Sequence, residues 1–397
     1  MKFIDIPGHD QLKQKVTSLI ADSKLPHAIM LAGNEGVGVL PMALAMAQMA
    51  TCERVSSPPD SGASLFGDAP VEKTPMTDSC GVCPSCLKAQ KFIHPDIHFV
   101  YPVYTRKPLE KTISSHFITE WRSAIAANPY LNLNDWLQHI GAENKQGNIS
   151  ATECREIIHS VSLKSFESRY KVYIIWMAEL LKESGNILLK VIEEPPPNTL
   201  FIFAVEQIEK VIGTILSRTQ LYKLPPIPPQ AIASYLIDLH EVPSDEANRI
   251  GKVSDGNLNL ALEMMKLETG KYEEMMQRWF SICVRLRGAL AKEASINLQN
   301  LSEEFQKLGR ENQKAFFQYT IWVLREMTLV AQGIETEKLS ESEKIFAVKV
   351  AKLLTGDSRS LKLFQLFENA IYHIERNANP KILIYDVSFA LSRVFVE

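Results

Sequence analysis

The chain has 397 residues, 46% of them apolar and 22% charged, with a formal net charge of −3. That length exceeds what one hydrophobic core organises and predicts two or three domains. The near-balanced charge excludes a global field that would draw the chain onto nucleic acid. No apolar leader core opens Met1-Lys2-Phe3-Ile4-Asp5 and no stretch is long enough to cross a bilayer, so a cytoplasmic protein without membrane contact is expected. Six cysteines are too few for a disulfide framework, and three of them fall within seven residues, which points to metal.

Residues 9–23 place Leu12, Val16, Leu19 and Ile20 at helical spacing. The apolar run 27–32 predicts one buried strand. It is followed by the turn Gly33-Asn34-Glu35-Gly36-Val37-Gly38 and by a helix from Pro41 to about Cys52. Strand, glycine turn and helix is the layout of a phosphate-binding loop, whose backbone N–H groups face an anion. Where such a loop needs Lys and then Ser or Thr, this chain has Val39 and Leu40. Valine cannot neutralise a phosphate and leucine cannot ligate Mg²⁺. On its own, a glycine turn of this kind serves as often only to let a helix pack on a strand.

Residues 53–79, rich in Ser, Pro, Asp and Gly, read as a flexible surface insertion. In the knuckle Cys80-Gly81-Val82-Cys83-Pro84-Ser85-Cys86 the thiolates are spaced to share one tetrahedral Zn²⁺. Cys52 is the preferred fourth ligand and His94 the second choice. Four protein ligands leave no open position for water, so the metal is expected to be structural. Cys154 and Cys283 lie on helical patterns and read as core residues. His94-Pro95-Asp96 leads into a strand over 97–100. Residues 104–149, with Trp121 and Trp136, read as an irregular, partly helical excursion on the surface.

Regular alternation returns at Ser150. It predicts helix 153–163, strand 171–176, helix 178–193 stopped by Pro195-Pro196-Pro197, strand 200–205, helix 208–216 and strand 220–224. Apolar strands alternating with amphipathic helices imply a parallel sheet covered on both faces. The proline-rich stretch 225–229 marks a boundary. Only helices are predicted beyond it, a small set to about Leu267 and longer ones from about Tyr272. Glu193 and Glu194 at a helix C-terminus oppose its dipole, at about 0.3–1 kcal/mol each when exposed. A solvated end or an interface accounts for such a feature. Ser217-Arg218 at the next helix end reads, alone, as a dipole partner or a surface ion pair.

In this order the motifs make the chain resemble the bacterial clamp-loader subunits of the AAA+ class. The resemblance covers residues 5–225, and the remainder follows by pattern only. It rests on Pro7-Gly8-His9, Leu25-Pro26-His27-Ala28, the turn from Gly33 to Gly38, the cysteine knuckle and His94-Pro95-Asp96. It continues through Leu188-Leu189-Lys190-Val191-Ile192-Glu193-Glu194-Pro195-Pro196 and Ser217-Arg218-Thr219, where the family carries Ser-Arg-Cys. It implies an α/β AAA+ parallel-sheet domain over 1–225 with a zinc module, then an all-α part. That part would be a small helical lid over 226–270 and a helical collar for ring assembly over 271–397.

Measured against the family pattern, Val39 and Leu40 replace the phosphate lysine and the Mg²⁺ hydroxyl. Trp176 and Met177 stand where Asp-Glu would hold Mg²⁺ and activate water. Ala204-Val205 ends the strand that carries a polar sensor, and Asn259 takes the place of the second-sensor arginine. ATP is therefore expected not to be hydrolysed and to bind weakly or not at all. Arg218, with Ser217, is retained. In the family this arginine reaches across a subunit interface to the γ-phosphate of a neighbour.

The resemblance thus implies a subunit with no intrinsic enzymatic activity. It would join ATPase subunits and a delta-like subunit in placing a sliding clamp on primed DNA. Glu193, Glu194, Pro195 and Pro196 would shape an inter-subunit or DNA-facing loop. An ATP-hydrolysing sister subunit and a zinc-dependent nucleic-acid-binding protein are the alternatives. Val39, Leu40, Trp176 and Met177 speak against the first. The second would need more cations near the knuckle than Lys73, Lys88 and Lys91.

Overall fold

The computed structural model describes all residues except 57–76, 105–111, 143–144, 267–268, 288, 335–338, 340, 352–356 and 396–397. Most of the expected 53–79 insertion, Lys73 included, lies outside the described residues. Four mainly apolar runs and one mixed edge segment form β1 (Ala28–Ala32), β2 (Ile97–Val100), β3 (Lys171–Trp176), β4 (Thr199–Val205) and β5 (Gln220–Lys223, the mixed one). All pair in parallel in the order β2-β3-β4-β1-β5.

Side chains alternate with the two-residue period of a strand. Ile29, Leu31, Val172, Ile174, Leu200 and Ile202 enter one core, and Met30, Tyr173, Ile175, Phe201 and Phe203 enter the other. Both faces are buried, so the strands read as continuous apolar runs rather than as apolar–polar alternation. The register sets Ala32 beside Val205 and Trp176 beside Ala204. The loops leaving β1, β3 and β4 therefore share one edge, where ligands bind in open α/β sheets.

Helices Asp10–Ala21, Val39–Thr51 and Ala151–Ser162 form where apolar periodicity predicts them. Two expected helices are replaced by shorter pieces. Residues 178–193 fold as a 3₁₀ run, Ala178–Leu188, kinked at Lys182 (φ 46°), and a short α-helix, Leu189–Glu193. The cause is tertiary. The buried Glu179 carboxylate accepts the backbone N–H groups of Glu206 (3.1 Å) and Gln207 (3.2 Å). Gly185 lets Ile215 approach to where a Cβ would lie 2.7 Å away. Residues 208–216 divide into Ile208–Lys210 and Gly213–Leu216, because the β-branched pair Val211 and Ile212 is extended.

The described part of the 104–149 segment is core, not surface. Helices Ile118–Ala127 and Leu133–His139 carry Trp121 and Trp136, both fully buried. Trp121 stacks on Tyr101 at 4.2 Å and meets Trp136 and Trp176 at 5.1 Å each. The Trp136 indole N–H donates to the Pro102 carbonyl (2.7 Å). Aromatic surface of this size is stabilising out of water; the Trp136 N–H is partnered there, while the buried Trp121 N–H finds no partner among the described residues.

The chain gathers into two compact units, Met1–Ile227 with Asn257–Asn259, and Pro228–Gly256 with Leu260–Glu397. Among the described residues the second unit contains helices only, from Pro229–His240 to Pro380–Val394. Trp279 packs with Phe280, Phe316, Phe317 and Phe367, and its N–H donates to Ser388 (2.7 Å). Arg249 pairs with Glu273 (2.9 Å) and with the buried Glu343 (2.8 Å). No described helix is long and apolar enough to cross a membrane.

Candidate functional site

The glycine turn leaves β1 and enters helix Val39–Thr51 through Gly38, whose φ of 96° is open to glycine but costly for other residues. At Gly36 (φ 73°) a Cβ would fall 1.7 Å from the Asn257 side-chain oxygen. The Gly36 carbonyl accepts the Leu258 N–H at 2.9 Å. Asn132 donates to the Glu35 carboxylate (3.0 Å), and the His9 ring meets the Val37 carbonyl (2.8 Å). The Tyr130 ring closes over Gly38.

Val39 and Leu40 are buried in the core. With Trp176, Ala204, Val205 and Tyr130 they wall a residual cavity of about 20 Å³. A water needs about 10–15 Å³ and small-molecule pockets start near 300 Å³. Protein atoms thus fill the space above the turn. None of the residues lining it is cationic, and its one acidic side chain is Glu206.

Trp176, Met177 and Asn259 are taken up internally. Trp176 ends β3 inside the aromatic cluster, and the buried Met177 that follows adopts a left-handed conformation (φ 55°). Asn259 accepts from Asn128 (2.6 Å) and donates to Asp135 (3.0 Å), so the 112–149 segment holds its amide on both sides.

Arg218 lies apart from this closed region, just before β5. Its Nε donates to the Glu193 carboxylate at 2.5 Å. Its Nη1 donates to the Thr214 carbonyl (2.9 Å) and to Ser217 Oγ (3.3 Å). The Nη2 amino group makes no hydrogen bond to the described residues, and the side chain is one-third exposed. Glu193 ends helix Leu189–Glu193, so the guanidinium offsets a carboxylate at the unfavourable pole of that helix. Glu194, the next residue, is exposed.

The cysteines form a second site. The Sγ atoms of Cys52, Cys80, Cys83 and Cys86 lie within 4.8 Å of one another, with Cys80 and Cys86 3.8 Å apart. Four sulfurs at about 2.3 Å from a tetrahedral Zn²⁺ stand about 3.8 Å apart, so the donor set fits. Backbone N–H groups of Cys83, Cys86 and Cys80 point at the sulfurs of Cys80 (3.3 Å), Cys83 (3.4 Å) and Cys52 (3.5 Å). Such bonds favour the thiolates a metal requires. The Cys86 thiol, followed by the Cys80 N–H, pushes Cys52 down to about 4, and the same pairing pushes Cys86 up.

His94 stands outside the sulfur group. Its Nδ1 accepts the Asp96 N–H (3.1 Å). Its Nε2 therefore carries the proton and donates to Ser85 Oγ (2.8 Å), whose own hydrogen goes to the Thr51 carbonyl. Burial holds the ring below its ordinary range, in the neutral form. Asp96 accepts the N–H groups of Phe166, Glu167 and Ser168 at 2.5–2.8 Å. Burial opposes its charge, but those three donors prevail and hold its carboxyl below the usual range. Cys154 and Cys283 are buried, and burial pushes both thiols up to about 12.

A parallel sheet in this strand order, with a glycine turn after β1 and a cysteine knuckle before β2, defines a domain of the AAA+ class. The family described as "DNA polymerase III, delta subunit" matches residues 8–228, more than half of the chain. The chain belongs to this family of DNA polymerase III clamp-loader subunits. It is 26% identical over 234 residues to the DNA polymerase III subunit delta' of Bacillus subtilis, covering 58% of this chain and 52% of the relative. It is 25% identical over 266 residues to the delta' subunit of Haemophilus influenzae, covering 66% and 62%. To the gamma/tau subunit of Mycobacterium tuberculosis it is 24% identical over 240 residues, covering 60% and 31%. The chain thus spans 31% to 62% of the length of these relatives.

Tyr130, Asn132 and Asn257, which close the turn, were not legible in the sequence. Each acts through a partner in a segment without periodicity. The aromatic content of residues 112–149 is the one signal that marks the first two, and nothing local marks Asn257.

Proposed function

We propose that this chain is a non-hydrolysing subunit of a bacterial DNA polymerase III clamp loader. It supplies Arg218, with Ser217 beside it, to the triphosphate bound by a neighbouring ATPase subunit. The observation that carries this reading is the contrast between a turn whose cavity is about 20 Å³ and a guanidinium whose Nη2 edge is open. An arginine supplied in trans stabilises the charge that develops on the transferring phosphoryl group, an effect worth about 10³–10⁵ in rate. ATP is neither bound tightly nor hydrolysed by this chain. Val39 and Leu40 replace the phosphate ligands, Trp176 and Met177 the metal and water ligands. The partners are the ATPase subunits, a delta-like subunit, the sliding clamp and primed DNA, and the site of action is the cytoplasm. Residues 226–270 serve as the lid and 271–397 as the collar. Glu194, Pro195 and Pro196 shape a loop at the subunit or DNA interface.

Arg218→Ala is expected to leave the assembled complex intact and to cut its DNA-stimulated ATP hydrolysis by about 10³. Unchanged turnover rejects the assignment. ATP hydrolysis by the isolated chain above background would favour the ATPase alternative instead.

The metal held by Cys52, Cys80, Cys83 and Cys86 is proposed to be structural Zn²⁺, joining the end of helix Val39–Thr51 to helix Pro84–Gln90. Metal analysis of the purified chain is expected to find one zinc, lost in Cys52→Ser and kept in His94→Ala. Zinc retained in Cys52→Ser would refute the ligand set.

A further inference from the structure

We infer that Glu193 is the positioning residue for Arg218, a carboxylate in the same chain that aims the guanidinium outward. The inference rests on the reading of Arg218 as a group acting in trans. Guanidinium is planar, so fixing two of its nitrogens orients the third. Glu193 takes the Nε donor at 2.5 Å, and the Thr214 carbonyl and Ser217 Oγ take Nη1 at 2.9 and 3.3 Å. What remains is Nη2, which no described residue of the chain engages. The side chains of Glu193 and Arg218 are 47% and 33% exposed, so the pair is solvated and adds little to folding. Its effect is geometric. A long side chain at the start of a strand otherwise samples many rotamers, and each mis-aimed one removes donors from the phosphate.

The arrangement also accounts for a carboxylate at the pole of a helix where it is disfavoured. Helix Leu189–Glu193 ends at the proline run, and Thr214 lies on helix Gly213–Leu216. The arginine, on the turn that leads into β5, is therefore tied to residues of two short helices. Groups held by rigid elements keep the near-attack geometry that loops lose, and a misplacement of about 1 Å can cost up to about 10² in rate.

The test uses the reconstituted complex with its ATPase subunits, clamp and primed DNA, and reads ATP turnover for four variants. Glu193→Ala is expected to lower kcat about tenfold, with KM for ATP and the assembled fraction unchanged. Glu193→Gln keeps an oxygen that accepts from Nε and is expected to stay within about threefold of the parent. The double variant Glu193→Ala/Arg218→Ala is expected to be no slower than Arg218→Ala, because a residue acting only through the arginine has no effect once it is gone. Unchanged or faster turnover in Glu193→Ala, with Arg218→Ala still slow, overturns the positioning role and leaves the trans reading standing. Equal losses in Glu193→Ala and Glu193→Gln also overturn it, since they assign the effect to charge. An Arg218→Ala complex as fast as the parent removes the trans reading, and this inference with it.

Discussion

The glycine turn and the Arg218 corner are two loops of the same α/β unit, and their physical states are opposite. Above the turn, Val39, Leu40, Trp176 and Tyr130 are buried against one another and the remaining cavity is about 20 Å³. At the corner, a charged side chain is one-third exposed and held through Nε and Nη1, with Nη2 making no hydrogen bond to the described residues. The first region is part of the hydrophobic core and answers to packing. The second adds almost nothing to the core. The turn's backbone shape is needed to feed a buried helix whatever it binds, whereas packing alone does not account for the exposed arginine.

Substitutions sharpen this contrast in order of effect. Val39→Lys restores the lysine of a phosphate loop on paper but places an unpaired ammonium where the side chain is 7% exposed. It is expected to destabilise the chain by about 3–5 kcal/mol in urea unfolding and to yield no ATP binding by calorimetry. Binding with unchanged stability would show that the space above the turn opens easily. Asp96→Asn gives an intermediate case, about 2 kcal/mol, because a neutral amide serves three N–H donors less well than a carboxylate. The sign with pH follows from the lowered carboxyl. Its contribution is complete above roughly pH 4 and is lost as pH falls through the still lower folded-state value, so the gap between parent and variant closes in acid. A gap that persisted there would assign the loss to packing. Arg218→Ala is expected to change unfolding stability by at most about 1 kcal/mol, despite its effect on turnover. A larger loss would make the arginine structural and dissolve the comparison.

Much of this was legible in the sequence. The observed bounds of all five strands lie within a residue of those read from the sequence, because the central strands β1, β3 and β4 are buried on both faces and read as apolar runs. The sulfur group was legible from spacing, with Cys52 supplied by the end of a helix. The 3₁₀ run after β3 was not, since Glu179 finds its donors at Glu206 and Gln207, across the sheet edge. Nor was the depth of Trp121 and Trp136. Their neighbours Tyr101 and Trp176 are distant in sequence, and aromatic packing leaves no period to detect. Glu193 stood out as a carboxylate at the wrong pole of a helix, but its partner lies 25 residues on, beyond the reach of any local rule.

The aromatic cluster behind Trp176 has a consequence for anyone wishing to place charges above the glycine turn. Trp176→Asp alone would leave a hole beside Trp121 and strand a carboxylate in it, and Val39→Lys alone strands a cation. A charged pair there would thus be reached only through destabilised single variants, and Tyr130 and Asn257 would still pack against Gly38 and Gly36.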